Sequence, residues 1–270
     1  MNIESRIDAD ENVCEMLEHL PFTTEEGIGD RAKIGLVVLA TDYTIEHEFR
    51  MVMTVPGVDF YETRIENVPT ITPETLAAMG SKIPGAVELI LPGEPLDVVA
   101  YGCTSASIVL GEQTVFDSIK KVQPNAKCTT PITAAFAAFD AFAAKRIAVL
   151  TPYRRDVNEQ VKAYIETGGY TVPVFGSFNE SQDPTVARID TRSLSNAIDV
   201  ITKDRDVDMV FVSCTSVRLF EAAKAIEDRI GIPVTSSNHA MAWHCLRLAG
   251  VEDDMPQWGQ LYNKALPNSQ

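Results

Sequence analysis

Two stretches decide the fold: LDVVAYGCTS at 96–105 and VDMVFVSCTS at 207–216. Each is a short apolar run closed by the same polar triplet, Cys-Thr-Ser, and an apolar run bounded by turn-forming residues reads as a buried strand entering a loop. The two agree at Asp97 and Asp208, Val99 and Val210, Cys103 and Cys214, Thr104 and Thr215, and Ser105 and Ser216, all at the offset from 103 to 214, which is 111 residues. The same offset lays LVVLATD (36–42) over IAVLTPY (147–153), so that Leu39 falls on Leu150 and Asp42 on Tyr153. Two strand-to-loop junctions that share one offset indicate an internal repeat.

Outward from these junctions, strand-like and helix-like segments alternate. IGLVVLA (34–40) and VDFYETRI (58–65) read as strands, with IEHEFRMVM (45–53) as the helix between them. Thr72, Pro73 and Glu74 open a helix running through 72–91, with an N-cap and a proline at its first position. A further helix is expected from Thr104 to Ile119, and a small-residue helix over AAFAAFDAFAA (134–144). The alternation then restarts with the strand RIAVLTPY and continues in the same grammar to IPVTSS. Such alternation predicts βαβ units with right-handed crossovers and parallel sheets covered on both faces, so the fold class is α/β. The acidic residues 1–30 form an N-terminal arm with one short helix near 11–20.

Composition excludes several functions. The chain has 270 residues, enough for one large or two small domains, with 45% hydrophobic and 23% charged residues. The net charge of -15, from 38 acidic against 23 basic residues, argues against a nucleic-acid partner, which needs concentrated Lys and Arg. No apolar run is long enough for a membrane span, and the opening MNIESRIDADENVCEMLEHL lacks the basic-then-apolar order of a secretory leader, so the cytoplasm is the expected location. Five cysteines without short spacings suggest free thiols, and four histidines without an H-x-x-x-H pair give no metal template. No metal and no cofactor is expected.

The repeated cysteines are the chemical signal. In an open parallel sheet, ligands bind beyond the carboxyl ends of the strands, where Cys103 and Cys214 fall. Each follows an apolar strand and precedes a helix, whose unpaired N–H groups would bind a carboxylate and depress a thiol pKa. Thr104, Ser105, Thr215 and Ser216 add hydroxyls at the same places. Two opposed thiols can take a proton from one face of a carbon and return one to the other, or one can add to a double bond while the other manages the proton. The bland alternative, a small buried hydrophobe, is accepted for Cys14, Cys128 and Cys245. His239 and Trp243 read as structural, and the apolar stripe of 134–144 as core or a homodimer contact.

The segments YGCTSAS, SCTSVRLFEA, LTPYRRDVNEQVKAYIE and GIPVTSSNHAMAW resemble the aspartate/glutamate racemase superfamily, within it the maleate cis-trans isomerase and arylmalonate decarboxylase group, over about residues 31–250. The resemblance implies two Rossmann-like half-domains about a pseudo-two-fold axis with the active site in the cleft between them. Their extents would be 31–142 plus 239–270 for the first and 143–238 for the second. It implies Cys103 as nucleophile or first base, Cys214 as the opposing acid or base, and Tyr153 as a hydrogen-bond donor to a small carboxylate substrate, helped by Thr104, Ser105, Thr215 and Ser216. A homo-oligomer, a dimer or a dimer of dimers, is expected from the small, apolar helix face of 134–144.

The sequence departs from the maleate isomerase pattern at two substrate-binding asparagines, replaced by Asp42 in ATDYTIEHE and by Asp183 in SFNESQDPTVAR. Carboxylates there would repel a dianion unless protonated or paired, so a substrate with an amino group suits them better, and the ATDYTIEHEF pattern resembles the ectoine-utilisation branch. Equally, Asp42 reads as a turn carboxylate satisfied by backbone amides. The expected function is a cofactor-independent isomerase or racemase. A decarboxylase of the arylmalonate type and a non-catalytic ligand-binding protein are the alternatives.

Overall fold

The computed structural model describes residues 16–267, apart from 26, 69–71 and 181. The first half runs β1 (Ala32–Leu39), α1 (Ile45–Val52), β2 (Val58–Ile65), α2 (Pro73–Ala77), α3 (Ile83–Glu88), β3 (Val98–Gly102), α4 (Thr104–Leu110), α5 (Glu112–Lys120), β4 (Lys127–Thr129) and α6 (Pro131–Ala141). The second runs β5 (Arg146–Thr151), α7 (Arg155–Thr167), β6 (Thr171–Ser177), α8 (Asp183–Val186), α9 (Thr191–Thr202), β7 (Met209–Val212), α10 (Phe220–Ile230), β8 (Val234–Ser236) and α11 (Ser237–Leu248). Each half builds a four-stranded, all-parallel sheet, with strand orders β2-β1-β3-β4 and β6-β5-β7-β8. The order is the same in both, as the repeated sequence requires.

The repeated aspartates explain part of that likeness. Asp97 accepts the backbone N–H of Lys33 at 2.8 Å, and Asp208 those of Lys145 and Arg146 at 2.9 and 2.8 Å. Each thus ties the start of its strand to the start of the neighbouring central strand. The central strands are apolar on both faces because both faces are covered. In β1 and β3, Ile34, Leu36, Val38, Val98 and Ala100 join a core continuous with the second half, while Val37, Leu39, Val99 and Tyr101 pack under Leu76, Ile83, Val87, Val115 and Ile119 of α2, α3 and α5.

Thr72 caps α2 as its sequence predicts, in a reciprocal box with Thr75. The helix expected over 72–91 is instead broken into α2, a 3-10 turn and α3; at Gly80 a Cβ would stand 2.8 Å from Leu110. The helix expected from Thr104 to Ile119 is likewise two, split where Gly111 takes φ 80°. Residues 16–20 of the expected arm helix are not helical, and 11–15 lie outside the described residues. The apolar face of α6 is covered within the chain. Ala134, Ala135 and Ala138 are buried with α6 against α11, and Phe139 meets Phe211 and Tyr170 edge-on at 5.6 and 5.0 Å.

After β8 the chain returns to the first sheet. His244 of α11 hydrogen-bonds Thr129 at 2.8 Å, the Lys127 ammonium donates to Leu248 O at 2.6 Å, and Arg31 pairs with Asp253 at 2.6 Å. Among the described residues no helix is long and apolar enough to cross a membrane.

Candidate active site

Both Cys-Thr-Ser junctions open into one pocket. Its wall contains Cys103, Thr104 and Ser105 from the first half and Tyr153, Asp183, Cys214, Thr215 and Ser216 from the second. Leu39, Asn67, Val68, Thr75, Leu76 and Met79 complete it, around about 400 Å³ of free space counting the mouth. Every wall residue expected from the sequence is present except Asp42, which is 1% exposed and not part of the wall.

Close packing places the first thiol. Gly102 precedes it in β3, where a Cβ would lie 2.9 Å from Val37 O and 2.8 Å from Ile45 Cδ1, so the strands approach closely only with glycine there. Cys103 is the N-cap of α4 without a formed side-chain cap bond; the Ala106 N–H lies near its sulfur and favours its charged form, and the sulfur stands 3.9 Å from Ser105 Oγ. The Thr104 hydroxyl bonds that of Ser237 at 2.7 Å, joining the starts of α4 and α11.

The second thiol is placed differently. Residues 215–219 intervene before α10 begins at Phe220, so Cys214 does not open a helix as its twin does. The Ser216 N–H and the Tyr153 hydroxyl lie beside its sulfur and favour its charged form. Tyr153 is held through its backbone. Its carbonyl accepts from Asn158 Nδ2 at 2.8 Å and Ser177 Oγ at 2.5 Å, and its N–H donates to Thr151 Oγ1 at 3.2 Å.

Both thiols are held in their protonated form, contrary to the helix-terminus expectation. Burial pushes Cys103 up to about 12, with Asp183 and Asp42 adding to the rise. Cys214 is also raised, by burial first and Asp183 second, and the neighbouring Tyr153 hydroxyl only partly opposes this. The desolvation of a sulfur with 3–4% exposure outweighs a few N–H dipoles.

Asp42 is the turn carboxylate that one reading of its sequence expects. Its Oδ1 accepts the N–H groups of Thr44 and Ile45 at 2.7 and 2.9 Å, a turn that starts α1. Its Oδ2 is buried without a hydrogen-bond partner of formed geometry; the Thr215 hydroxyl lies beside the carboxylate and favours its charged form. Burial raises the group to about 6. Asp183 accepts from Thr41 Oγ1 at 2.8 Å and Ser216 Oγ at 3.3 Å, and burial raises it too. Neither carboxylate has an ion pair among the described residues, and no Lys, Arg or His is among the wall residues. Arg154 and Arg155 are exposed instead.

Sequence reasoning missed several supports. Asn67, two residues past the end of β2, anchors Thr41 through its Oδ1 at 3.1 Å and Nδ2 at 2.8 Å. Glu48 is buried on α1 with Ile45, Phe49 and Val52, a charge inside an i, i+3, i+4, i+7 apolar stripe that was visible as an anomaly. His239 is structural, as expected. Its ring bonds Thr235 Oγ1 at 3.0 Å and Trp258 O at 2.6 Å, and burial lowers it to about 4. Trp243 is fully buried, its indole N–H on Lys264 O at 3.0 Å. No cluster of three or more His, Cys, Asp or Glu able to hold a metal occurs among the described residues.

Fold and pocket together define a protein of two like α/β halves that lend one thiol each to a shared small-molecule site. The arylmalonate decarboxylase family matches residues 83–262, and the chain belongs to that family. It is 30% identical to a maleate isomerase of Nocardia farcinica over 243 residues, 85% of this chain and 94% of that one. It is 30% identical to an arylmalonate decarboxylase of Bordetella bronchiseptica over 140 residues, 51% of this chain and 58% of that one. A solved cysteine-to-serine mutant of the Nocardia farcinica maleate cis-trans isomerase, with a covalently bound succinylcysteine intermediate, superposes with a TM-score of 0.77 at 26% identity, covering 86% of this chain and 98% of that one.

Proposed function

We propose that this chain is a cofactor-independent isomerase of a small carboxylic acid in which Cys103 and Cys214 act on opposite sides of one substrate. The observation that carries this reading is the convergence of two thiols, one from each half, on a single pocket. Similarity to the maleate isomerases, one of which forms a succinylcysteine, supports it. The backbone N–H groups and hydroxyls at Thr104, Ser105, Thr215 and Ser216, with the Tyr153 hydroxyl, hold the substrate carboxylate.

The finer reading is racemase chemistry on an amino-bearing acid. Four acidic groups, the two thiols and Asp42 and Asp183, share a buried region whose wall holds no cationic side chain. A dianion would raise all of them further. A substrate ammonium would lower all of them and favour proton loss in the pocket. In the reaction, the thiolate of one cysteine takes the proton from carbon and the thiol of the other donates its own to the opposite face. The proton count is unchanged and the two sulfurs exchange roles. This reading fits an ectoine-type diamino acid, a homo-oligomer and a cytoplasmic setting. The ties of 244, 248 and 253 back to the first sheet support a domain division of 31–142 plus 239–270 and 143–238.

The test is incubation in heavy water with amino acids, diamino acids, maleate and an arylmalonate. Deuterium at a chiral carbon with loss of optical activity supports racemisation, and cis-to-trans conversion supports the coarser isomerase reading alone. Release of carbon dioxide without either would replace both with the decarboxylase alternative, with which the family match is also consistent.

A further inference from the structure

The two thiols are supported in unlike ways. Cys103 sits directly at the start of α4, whereas Cys214 is separated from α10 by the turn 215–219. A turn of that kind, buried from Val212 to Val217, needs partners for its peptide groups. They come from outside the second sheet.

Glu48, on α1 of the first half and 0% exposed, accepts the N–H groups of Leu219 and Phe220 on Oε1 at 2.8 and 2.9 Å. These are first-turn donors of α10 that no residue within the helix can satisfy. Its Oε2 accepts from Asn238 Nδ2 at 2.7 Å, and the same Nδ2 donates to Thr215 O at 2.7 Å. Both neighbours of that nitrogen are acceptors, which fixes the amide orientation although Asn238 Oδ1 is left without a partner. Four residues ahead of Glu48, Thr44 donates its hydroxyl to Ser216 O at 2.8 Å. The peptide groups of 215, 216, 219 and 220 are therefore all held by three side chains, Glu48 binding the 219–220 end directly and reaching the 215 end through Asn238.

We infer that Glu48 is a positioning residue, which with Thr44 and Asn238 clamps the 215–220 turn of one half to α1 of the other and thereby fixes Cys214 opposite Cys103. The inference rests on the proposed reaction for its consequence in turnover, but not for the clamp itself. A carboxylate buried beside another acid, Asp42, and offset only by N–H donors is a costly way to cap a helix. A serine or aspartate at the start of α10 would cap it locally. The remote carboxylate adds what a local cap cannot, a fixed relation between the two thiol-bearing halves.

The test compares the full-length wild type with E48A, E48Q and T44V. Iodoacetamide labelling is resolved by peptide mass spectrometry into separate rates for Cys214 and Cys103, alongside thermal melts and kcat and KM on the active substrate. In folded E48A and in T44V, the Cys214 rate rises about tenfold or more relative to Cys103, and kcat falls about tenfold or more with KM nearly unchanged. E48Q keeps an oxygen for Leu219 and Phe220 and restores part of both. A Cys214-to-Cys103 ratio equal to wild type in T44V and in folded E48A overturns the clamp. T44V leaves no charge unpaired and carries the comparison if E48A does not fold. Absence of turnover in the wild type would count against the reaction while leaving the labelling ratio to decide the clamp.

Discussion

Replacing Asp42 by asparagine should remove a defined part of the pH dependence of folding. The Asp42 carboxyl is raised from 3.8 to about 6, first by burial, with its two backbone N–H bonds opposing that rise. Below 3.8 both folded and unfolded chains hold the proton. As the pH rises, the unfolded chain releases it first, so stability is lost up to the folded value. The size follows from the displacement: at about 1.4 kcal/mol per pH unit, the loss on account of this one group is about 3 kcal/mol by pH 7.5. The amide of D42N would keep an Oδ1 acceptor for Thr44 and Ile45 and carries no charge. Any fixed cost of that buried amide cancels when one protein is compared with itself across pH. Urea unfolding of wild type and D42N at pH 4 and pH 7.5 measures the difference. The wild type should lose about 2–3 kcal/mol more between the two conditions than D42N does. Glu48, raised to about 7 partly by Asp42, would titrate lower in D42N and widen the gap. Parallel losses in the two proteins would show that Asp42 is not a raised, buried acid, and the case for a cationic substrate group would go with it.

Other substitutions test the placement of the thiols. Y153F removes the hydroxyl beside Cys214 that favours its thiolate, so its pKa rises further and its alkylation at fixed pH slows relative to Cys103, with turnover falling about tenfold; an unchanged ratio would contradict that influence. G102A forces a Cβ against Val37 O and Ile45 and should cost about 1–3 kcal/mol in urea titrations while displacing Cys103. F139A empties the contact with Phe211 and Tyr170 between the halves and should cost about 3–5 kcal/mol; a loss under about 1 kcal/mol would mean that this core collapses on deletion.

Most of the architecture was legible because its signals are local. Buried parallel strands announce themselves as apolar runs, Thr72 and Pro73 mark a helix start, and the offset of 111 residues between 103 and 214 anticipates two sheets of one topology. The breaks at Gly80 and Gly111 were less legible: a lone glycine within a helical pattern is often tolerated, and only the packing against Leu110 and the φ of Gly111 settle the matter. The thiol environment was misread for a different reason. The sequence displays the helix that follows Cys103 but not the desolvation of the sulfur, and burial is the larger effect. For Cys214 the residues 215–219 look like a helix start because the groups that hold the turn, Glu48 accepting the N–H of Leu219 and Phe220 and Asn238 donating to Thr215 O, are distant in sequence. The charge of Glu48 within the stripe Ile45, Phe49, Val52 was the available sign.

Two thiols serving one substrate from opposite sides are the centre of the proposed mechanism. C103S and C214S, each shown by melting to remain folded, should be assayed for deuterium incorporation and for turnover of the substrate found in heavy water. The expected result is loss of net turnover in both variants, with either remaining thiol able at most to exchange the proton on its own face. Wild-type turnover in C103S or in C214S would contradict the two-thiol mechanism directly.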